Sequence, residues 1–146
     1  MVSLDDSEVA MKAADYALSI SKGLNAELIA IHVVRSEDAM VATNSLIENL
    51  DTITTEDSIL QKVKDDAEKW FSTIRAKGSA NGISLRAGLV VSSVEEDEAI
   101  VNYAERENVD LIVIGESEKS GLKQRLHGTT ASEVATQTKR SVLIVK

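Results

Sequence analysis

Apolar residues along this chain follow two patterns, short unbroken runs and longer stretches with apolar positions three or four residues apart. The short runs predict strands and the longer stretches predict helices, because these periods match pleated and helical backbones. The predicted strands are Val2–Leu4, Glu27–Val34, Ile83–Val91, Asp110–Ile114 and Ser141–Val145. The predicted helices are Ser7–Lys22, Glu56–Lys77, a segment from Ser93 to about Asn108, and a segment from Thr130 to about Lys139. Residues 36–55 are polar with short apolar patches and predict a loop with at most a short helix.

Capping residues mark several of these boundaries. Asp6 or Ser7 can cap the first helix, and Gly23 stands where a helix-ending glycine is expected. Two segments, Ser93–Glu96 and Thr130–Glu133, have the capping-box pattern of a hydroxyl residue followed three positions later by glutamate. We therefore expect the third and fourth helices to begin at these segments.

The order of the elements predicts the fold class. Five strands alternate with four helices, and strands as apolar as Glu27–Val34 are typical of a sheet covered on both faces. Such alternation predicts parallel strands joined by right-handed crossovers, which makes a three-layer α/β/α sandwich. We find no linker or internal repeat and expect one domain over residues 1–146.

Composition excludes several classes of function. The 146 residues include no cysteine, which excludes disulfides, thiolate metal sites and a cysteine nucleophile. No apolar run approaches the length of a membrane span and no leader is recognisable, so we expect a soluble, cytoplasmic protein that does not contact membranes. The net charge of −8 argues against nucleic acid as a partner, because phosphate contacts need a basic face.

That net charge is unevenly distributed. Residues 1–118 carry 10 basic and 23 acidic side chains, a charge of −13, whereas residues 119–146 carry six basic and one acidic, a charge of +5. The basic segment permits a small anionic ligand, although charge scatter on a solvated surface is an alternative explanation.

Ligands of open parallel sheets bind beyond the carboxyl ends of the strands, which selects four places in this chain. They are Asp5 and Asp6, Val33 to Arg35, Ser92 and Ser93, and the segment from Gly115 onward. The last is the most unusual, because glycines, hydroxyls and basic residues over 115–130 lead directly into a helix. Helix amino termini attract anions, so Gly128, Thr129 and Thr130 are candidate phosphate contacts.

Five segments taken together resemble the universal stress protein family. They are Asp5–Glu8 before an Ala-rich helix, His32–Val34, Asp110–Gly115, Gly121–Val134 and Ser141–Lys146, and they occur in the expected order over essentially the whole chain. The resemblance implies an adenine nucleotide alpha hydrolase-like fold with strand order 3-2-1-4-5. It also implies a homodimer in which the last strand, Ser141–Val145, contributes to the interface.

The resemblance further implies a site for ATP or AMP, with Mg²⁺ accompanying ATP; no metal ligand is assigned. The family's phosphate motif, G-x2-G-x9-G-[ST], falls on Gly115, Glu118, Gly128 and Thr129 of this chain. The remaining positions implied are Asp5 and Val33 at the adenine and ribose end, Ile114 in the pocket wall and Thr130 at the phosphates. Four residues of the same loop bring positive charge near the phosphates, namely Lys119, Lys123, Arg125 and His127.

Glu118 leaves two functions open. A glutamate in place of a motif glycine is strained if φ must be positive, and its carboxylate repels a polyphosphate. Lys119 and its basic neighbours oppose that repulsion, whereas Glu116 adds to it at the mouth of the loop. The first hypothesis is a nucleotide-binding module for stress signalling; the alternative is a family member that binds no nucleotide and acts through dimer and partner surfaces.

Catalysis is not predicted beyond slow hydrolysis of a bound nucleotide, because no catalytic base or metal cluster is recognisable. His32 lies inside an apolar strand and is expected to be a hydrogen-bonded structural residue. Asp5 and Asp6 could alternatively hold Mg²⁺ as in receiver domains, but the third strand ends without the aspartate that such a mechanism needs.

Overall fold

The computed structural model of this protein describes residues 1–36, 56–116 and 129–146. In this part of the chain, five parallel strands form one sheet in the order β3-β2-β1-β4-β5. The strands are β1 Val2–Ser3, β2 Leu28–Arg35, β3 Leu85–Ser92, β4 Leu111–Gly115 and β5 Ser141–Val145. The helices are α1 Glu8–Leu24, α2 Glu56–Ala80, α3 Glu96–Arg106 and α4 Thr130–Gln137. The predicted α/β fold and strand order are confirmed, while the loop predicted over 36–55 lies, apart from Ser36, outside the described residues.

Both faces of the sheet are covered, as the apolar strands predict. Side chains of β2 alternate between two buried clusters, because successive residues of a strand point to opposite faces. Leu28 and Ala30 pack in the cluster that includes α1 and α2, whereas Ile29, Ile31 and Val33 pack in the one that includes α3 and α4. None of the helices described here is both long and apolar enough to span a bilayer.

The ends of α1 show one correct and one wrong prediction. Ser7 caps the start, and its hydroxyl accepts a hydrogen bond from the Ala10 amide at 3.1 Å. Gly23 does not end the helix, which continues to Leu24; Asn25 adopts the left-handed conformation at φ 52° instead. Asparagine tolerates this conformation, and the Ala26 amide then donates to the Ser21 carbonyl at 2.9 Å, satisfying a carbonyl of the last turn.

The capping box predicted at Ser93–Glu96 is also wrong. Glu95 is the N-cap of α3, and its side chain makes no capping hydrogen bond. The hydroxyl of Ser92 accepts from the Val94 amide at 3.2 Å, so the turn that leaves β3 has its own side-chain hydrogen bond before the helix begins. Glu96, Asp97 and Glu98 in the first turn match the positive end of the helix dipole instead.

The amino group of Met1 is buried at the opposite end of the sheet from the candidate site. It donates to the Leu111 carbonyl at 2.7 Å, between β1 and β4. Burial lowers the pKa of this amino group from 8.0 to about 6, with a smaller opposing contribution from Asp110. The folded chain therefore binds this proton less tightly than the unfolded chain does.

In a chain that begins at Met1, we expect the free energy of unfolding to rise between pH 6 and pH 8, by roughly 2 kcal/mol. The sign follows because a lowered pKa means that the unfolded state takes up the proton first, so stability is full above pH 8 and is lost as the pH falls. Urea unfolding at pH 6, 7 and 8 measures this pH dependence of the free energy of unfolding. An Nα-acetylated chain, which lacks this titrating amino group, is the control. If the free energy of unfolding changes equally with pH in the two proteins, the Met1 amino group is not the cause.

Candidate functional site

The predicted site residues of β1, β2 and β4 meet at the carboxyl edge of the sheet. Asp5 follows β1, Val33 lies near the end of β2, and Gly115 is the last residue of β4. The chain continues from β1 to β2 on one side, whereas β4 pairs with β1 on the other. The strand order therefore reverses at β1, and such reversal points are where parallel α/β sheets bind ligands.

Asp5 forms the turn between β1 and α1. One oxygen of its carboxylate, Oδ1, accepts from the Ser7 amide at 2.8 Å and also from the Ser7 hydroxyl. That hydroxyl in turn caps α1, so Asp5 fixes the residue that starts the helix. Asp5 thus has a structural role at this edge, and its contact with adenine or ribose stays a prediction.

His32 joins the end of β1 to β2. Its Nδ1 lies 2.7 Å from the Leu4 carbonyl oxygen, and because a carbonyl can only accept, Nδ1 carries the proton. The ring also packs edge-on against Trp70, with centroids 5.1 Å apart and planes at 82°. The expectation that His32 is a hydrogen-bonded structural residue is confirmed.

Val33 offers its main chain at this edge. Its side chain is buried, with 6% of its surface exposed, and packs in the same cluster as Ile114. The Leu4 amide donates to the Ile31 carbonyl at 2.8 Å, so the main-chain groups of Ile31 point toward β1. Because this direction repeats every second residue, those of Val33 also point to that side, beyond Ser3, the last residue of β1. One N–H donor and one C=O acceptor of Val33 therefore face the turn after β1.

Gly115 is required by helix packing at the end of β4. A Cβ atom built on it would lie 2.9 Å from the Val9 carbonyl carbon and 3.0 Å from the Ala10 amide nitrogen. The first turn of α1 therefore rests directly on this glycine, and a side chain would have to displace helix backbone. This accounts for the glycine without a ligand, and its contact with phosphate stays a prediction.

The start of α4 differs by one residue from the predicted capping box. Thr129, not Thr130, is the N-cap; its hydroxyl accepts from the Ser132 amide at 3.2 Å, and the Ser132 hydroxyl accepts from the Thr129 amide at 2.9 Å. Serine thus takes the place of the glutamate in the predicted box. Capping leaves the amides of Thr130 and Ala131 to be satisfied by other partners, as at any helix start.

Replacing Thr129 with alanine is expected to lower the free energy of unfolding by about 1 kcal/mol, because the hydroxyl that accepts from the Ser132 amide is lost. The hydrogen bond from the Thr129 amide to the Ser132 hydroxyl does not need the side chain and remains. Thr130→Ala is the matched control, since the neighbouring threonine is inside the helix and does not cap. Urea unfolding gives the loss of unfolding free energy in each of the two variants. A larger loss in Thr130→Ala would place the cap one residue later, as the sequence pattern predicts.

Glu116 places negative charge at the same helix start. Its Oε1 lies 3.5 Å from the Thr129 hydroxyl, and its Oε2 lies 3.2 Å from the Lys146 ammonium nitrogen. The sequence places Glu116 at the mouth of the loop but gives no signal for these contacts, which join three separate elements. A second acidic side chain, Glu95, binds Arg35 at 2.7 Å at the carboxyl edge near β2. Sequence reasoning missed that pair too.

Several predicted site residues lie in residues 117–128, outside the described residues. They are Gly128, the motif position Glu118, and the basic residues Lys119, Lys123, Arg125 and His127. Within the described ranges, no three histidine, aspartate or glutamate side chains are grouped to hold a metal ion.

Comparison with known proteins gives a family and a fold. A model of the universal stress protein family matches residues 1–146. Universal stress protein YxiE of Bacillus subtilis is 31% identical over 152 residues, covering 100% of this chain and 97% of that protein. The solved structure of MJ0577, a protein of Methanocaldococcus jannaschii, superimposes with a TM-score of 0.75 at 25% identity, covering 99% of this chain and 93% of that one. A universal stress protein solved in complex with cAMP gives a TM-score of 0.64 at 25% identity, covering 99% and 92%.

Proposed function

The chain belongs to the universal stress protein family, and from that membership we propose that it is a cytoplasmic, non-enzymatic module that binds an adenine nucleotide and signals in the stress response. The whole of residues 1–146 would act as one domain. The ligand would lie across the carboxyl edge of the sheet, with its base near β2 and its phosphates near α4. A family structure that contains cAMP supports a ligand of this class.

The observation that carries this proposal is the position of Val33 relative to α4. The N–H and C=O of Val33 face the turn after β1 and offer the donor–acceptor pair that an adenine edge can match. Across the strand reversal, α4 begins at Thr130, directly after Thr129, whose hydroxyl lies 3.5 Å from Oε1 of Glu116. A helix amino terminus favours phosphate. The site therefore offers base recognition at one end and anion recognition at the other.

The contacts of His32 at this edge favour a binding role over catalysis. His32 is engaged with the Leu4 carbonyl and with Trp70, where it holds two strands together. We accordingly assign it no proton transfer. Mg²⁺ would enter with ATP as part of the ligand.

Calorimetry with ATP, with and without Mg²⁺, and with AMP tests nucleotide binding, alongside mass analysis of nucleotide released from acid-quenched purified protein. We expect saturable heat or a co-purifying adenine nucleotide. No heat at millimolar nucleotide together with nothing co-purifying would overturn the proposal. Glu118→Gly measures the effect of the altered motif position, with an expected gain in ATP affinity of about tenfold if that glutamate opposes binding.

Glu116 favours the second candidate function, a family member that binds no nucleotide and works through its surfaces. Its carboxylate lies against Thr129, where the phosphate of a ligand is expected. A negative result in the same calorimetry, with the fold intact by circular dichroism, would favour this candidate.

We also propose a homodimer through β5. This strand is an edge of the sheet, and Val142, Leu143 and Ile144 are only partly buried. The Glu116 amide donates to the Val145 carbonyl, so the main-chain groups of Val142 and Ile144 point away from β4. Sedimentation velocity should give the mass of two chains. Val142→Pro removes one outward N–H without breaking the pairing with β4, and should shift the mass toward one chain; a wild type that sediments as one chain would refute the dimer.

A further inference from the structure

We infer that Glu116 sets the phosphate charge that the nucleotide site accepts, disfavouring a polyphosphate and favouring a ligand with a single phosphate. The inference rests on the proposed function, because it names the ligand class of that same site. It concerns a residue that follows the first motif glycine directly and belongs to none of the motif positions.

Glu116 is held in place by contacts with two other elements. Its amide donates to the Val145 carbonyl at 2.8 Å, which fixes the backbone beside the end of β5. Its two carboxylate oxygens contact the Thr129 hydroxyl at 3.5 Å and the Lys146 ammonium at 3.2 Å. The side chain is 28% exposed, so it is mostly covered while one edge reaches solvent. The carboxylate thus stands at the cap of α4.

A carboxylate in this position supplies the negative charge that the helix start attracts. A phosphate that approaches Thr129 must either displace Glu116 or accept its repulsion. Repulsion grows with ligand charge; ATP carries roughly twice the charge of AMP, and adenosine carries none. Lys146 offsets only part of this repulsion, because its side chain is 82% exposed and water screens its charge.

The test compares dissociation constants of adenosine, AMP and ATP, measured by calorimetry in EDTA, for the wild type and Glu116→Gln. Glutamine keeps the shape and removes the charge. We expect ATP to bind about tenfold more tightly to the variant, AMP about threefold, and adenosine within about twofold. Adding Mg²⁺ should improve ATP binding more in the wild type than in Glu116→Gln, because the metal neutralises the phosphates that the carboxylate repels.

Two further variants separate a charge effect from a structural one. Lys146→Met removes the partner of Glu116 and should weaken ATP binding while leaving adenosine unchanged, the opposite sign to Glu116→Gln. Glu105→Gln is the matched control, since its carboxylate is also paired with a cation, Arg140, at 3.0 Å, but lies in the last turn of α3, away from the carboxyl edge of the sheet. Its three dissociation constants should equal those of the wild type. If Glu116→Gln did not fold, the weaker ATP binding expected in Lys146→Met, with adenosine binding unchanged, would still test the inference.

The outcomes distinguish the inference from the function on which it rests. If adenosine and AMP bind, and neither variant changes the affinity for ATP relative to that for adenosine, the inference is overturned and the proposed function stands. An equal gain for all three ligands in Glu116→Gln would overturn it as well, because charge would not be the cause. If none of the three binds the wild type or Glu116→Gln, the proposed function fails and the inference fails with it.

Discussion

Gly115→Ala is expected to lower the free energy of unfolding by about 1–3 kcal/mol, the range for forcing a methyl group into a well-packed site. The added Cβ would lie 2.9 Å from the Val9 carbonyl carbon and 3.0 Å from both the Val9 oxygen and the Ala10 nitrogen. These are backbone atoms, which cannot rotate away as the end of a side chain can. The first turn of α1 must therefore move off β4.

This movement would also reach the candidate site. Ser7, whose hydroxyl accepts from the Ala10 amide and donates to Asp5, lies at the same turn. We therefore expect Gly115→Ala to weaken the proposed nucleotide binding even in conditions where the variant is folded. Urea unfolding with calorimetry measures both effects.

Gly88→Ala is the matched control for Gly115→Ala. It also replaces a strand glycine, but no atom lies within 4 Å of the added Cβ. We expect its stability to change by less than about 0.5 kcal/mol, as for surface positions generally. Equal losses in the two variants would show that the strand backbone, and not the contact with α1, requires the glycine.

Ile112→Ala is expected to cost about 2–5 kcal/mol, the range for truncating a buried aliphatic side chain and leaving a cavity. Ile112 is 0% exposed and lies in β4, with β1 on one side and β5 on the other. Its cluster also contains Ile100 of α3 and Val134 of α4, so the cavity would open between sheet and helices. Urea unfolding measures this loss. If the free energy of unfolding falls while its dependence on urea concentration stays the same, the substitution changes stability and not the surface exposed on unfolding.

Val91→Ala tests whether burial causes the stability loss expected in Ile112→Ala. Val91 is also a β-branched strand residue, but it lies on the edge strand β3 and is 53% exposed. We expect a loss below about 1 kcal/mol, mostly from lower strand propensity. A loss as large as that of Ile112→Ala would contradict the two-cluster core.

The strands could be predicted because buried strands consist almost entirely of apolar residues. The run from Leu28 to Val34 is almost entirely apolar, and the structure divides it between the two faces of the sheet. Helix ends were less predictable. Gly23 and Asn25 both suit a helix end, and Thr129 and Thr130 both suit a cap, so local preference alone does not choose between neighbours.

The candidate site was predictable in its positions and not in its contacts. The rule that ligands bind at the carboxyl edge, with the family resemblance, located Asp5, Val33, Gly115 and Thr129. It did not show that Asp5 binds Ser7, or that Gly115 lies under α1. Glu116 was visible only as an acidic residue near a loop, because its partners Thr129 and Lys146 are 13 and 30 residues away in the chain.

The sequence by itself determined the alternation of strands and helices and the covering of both sheet faces, because hydrophobic periodicity acts within each segment. Strand order came with the family resemblance. Only the tertiary structure decided which residue caps each helix, why Gly115 has no side chain, and what Glu116 contacts. Those features depend on atoms that are distant in the chain and a few ångströms apart in space, and no local pattern encodes such a distance.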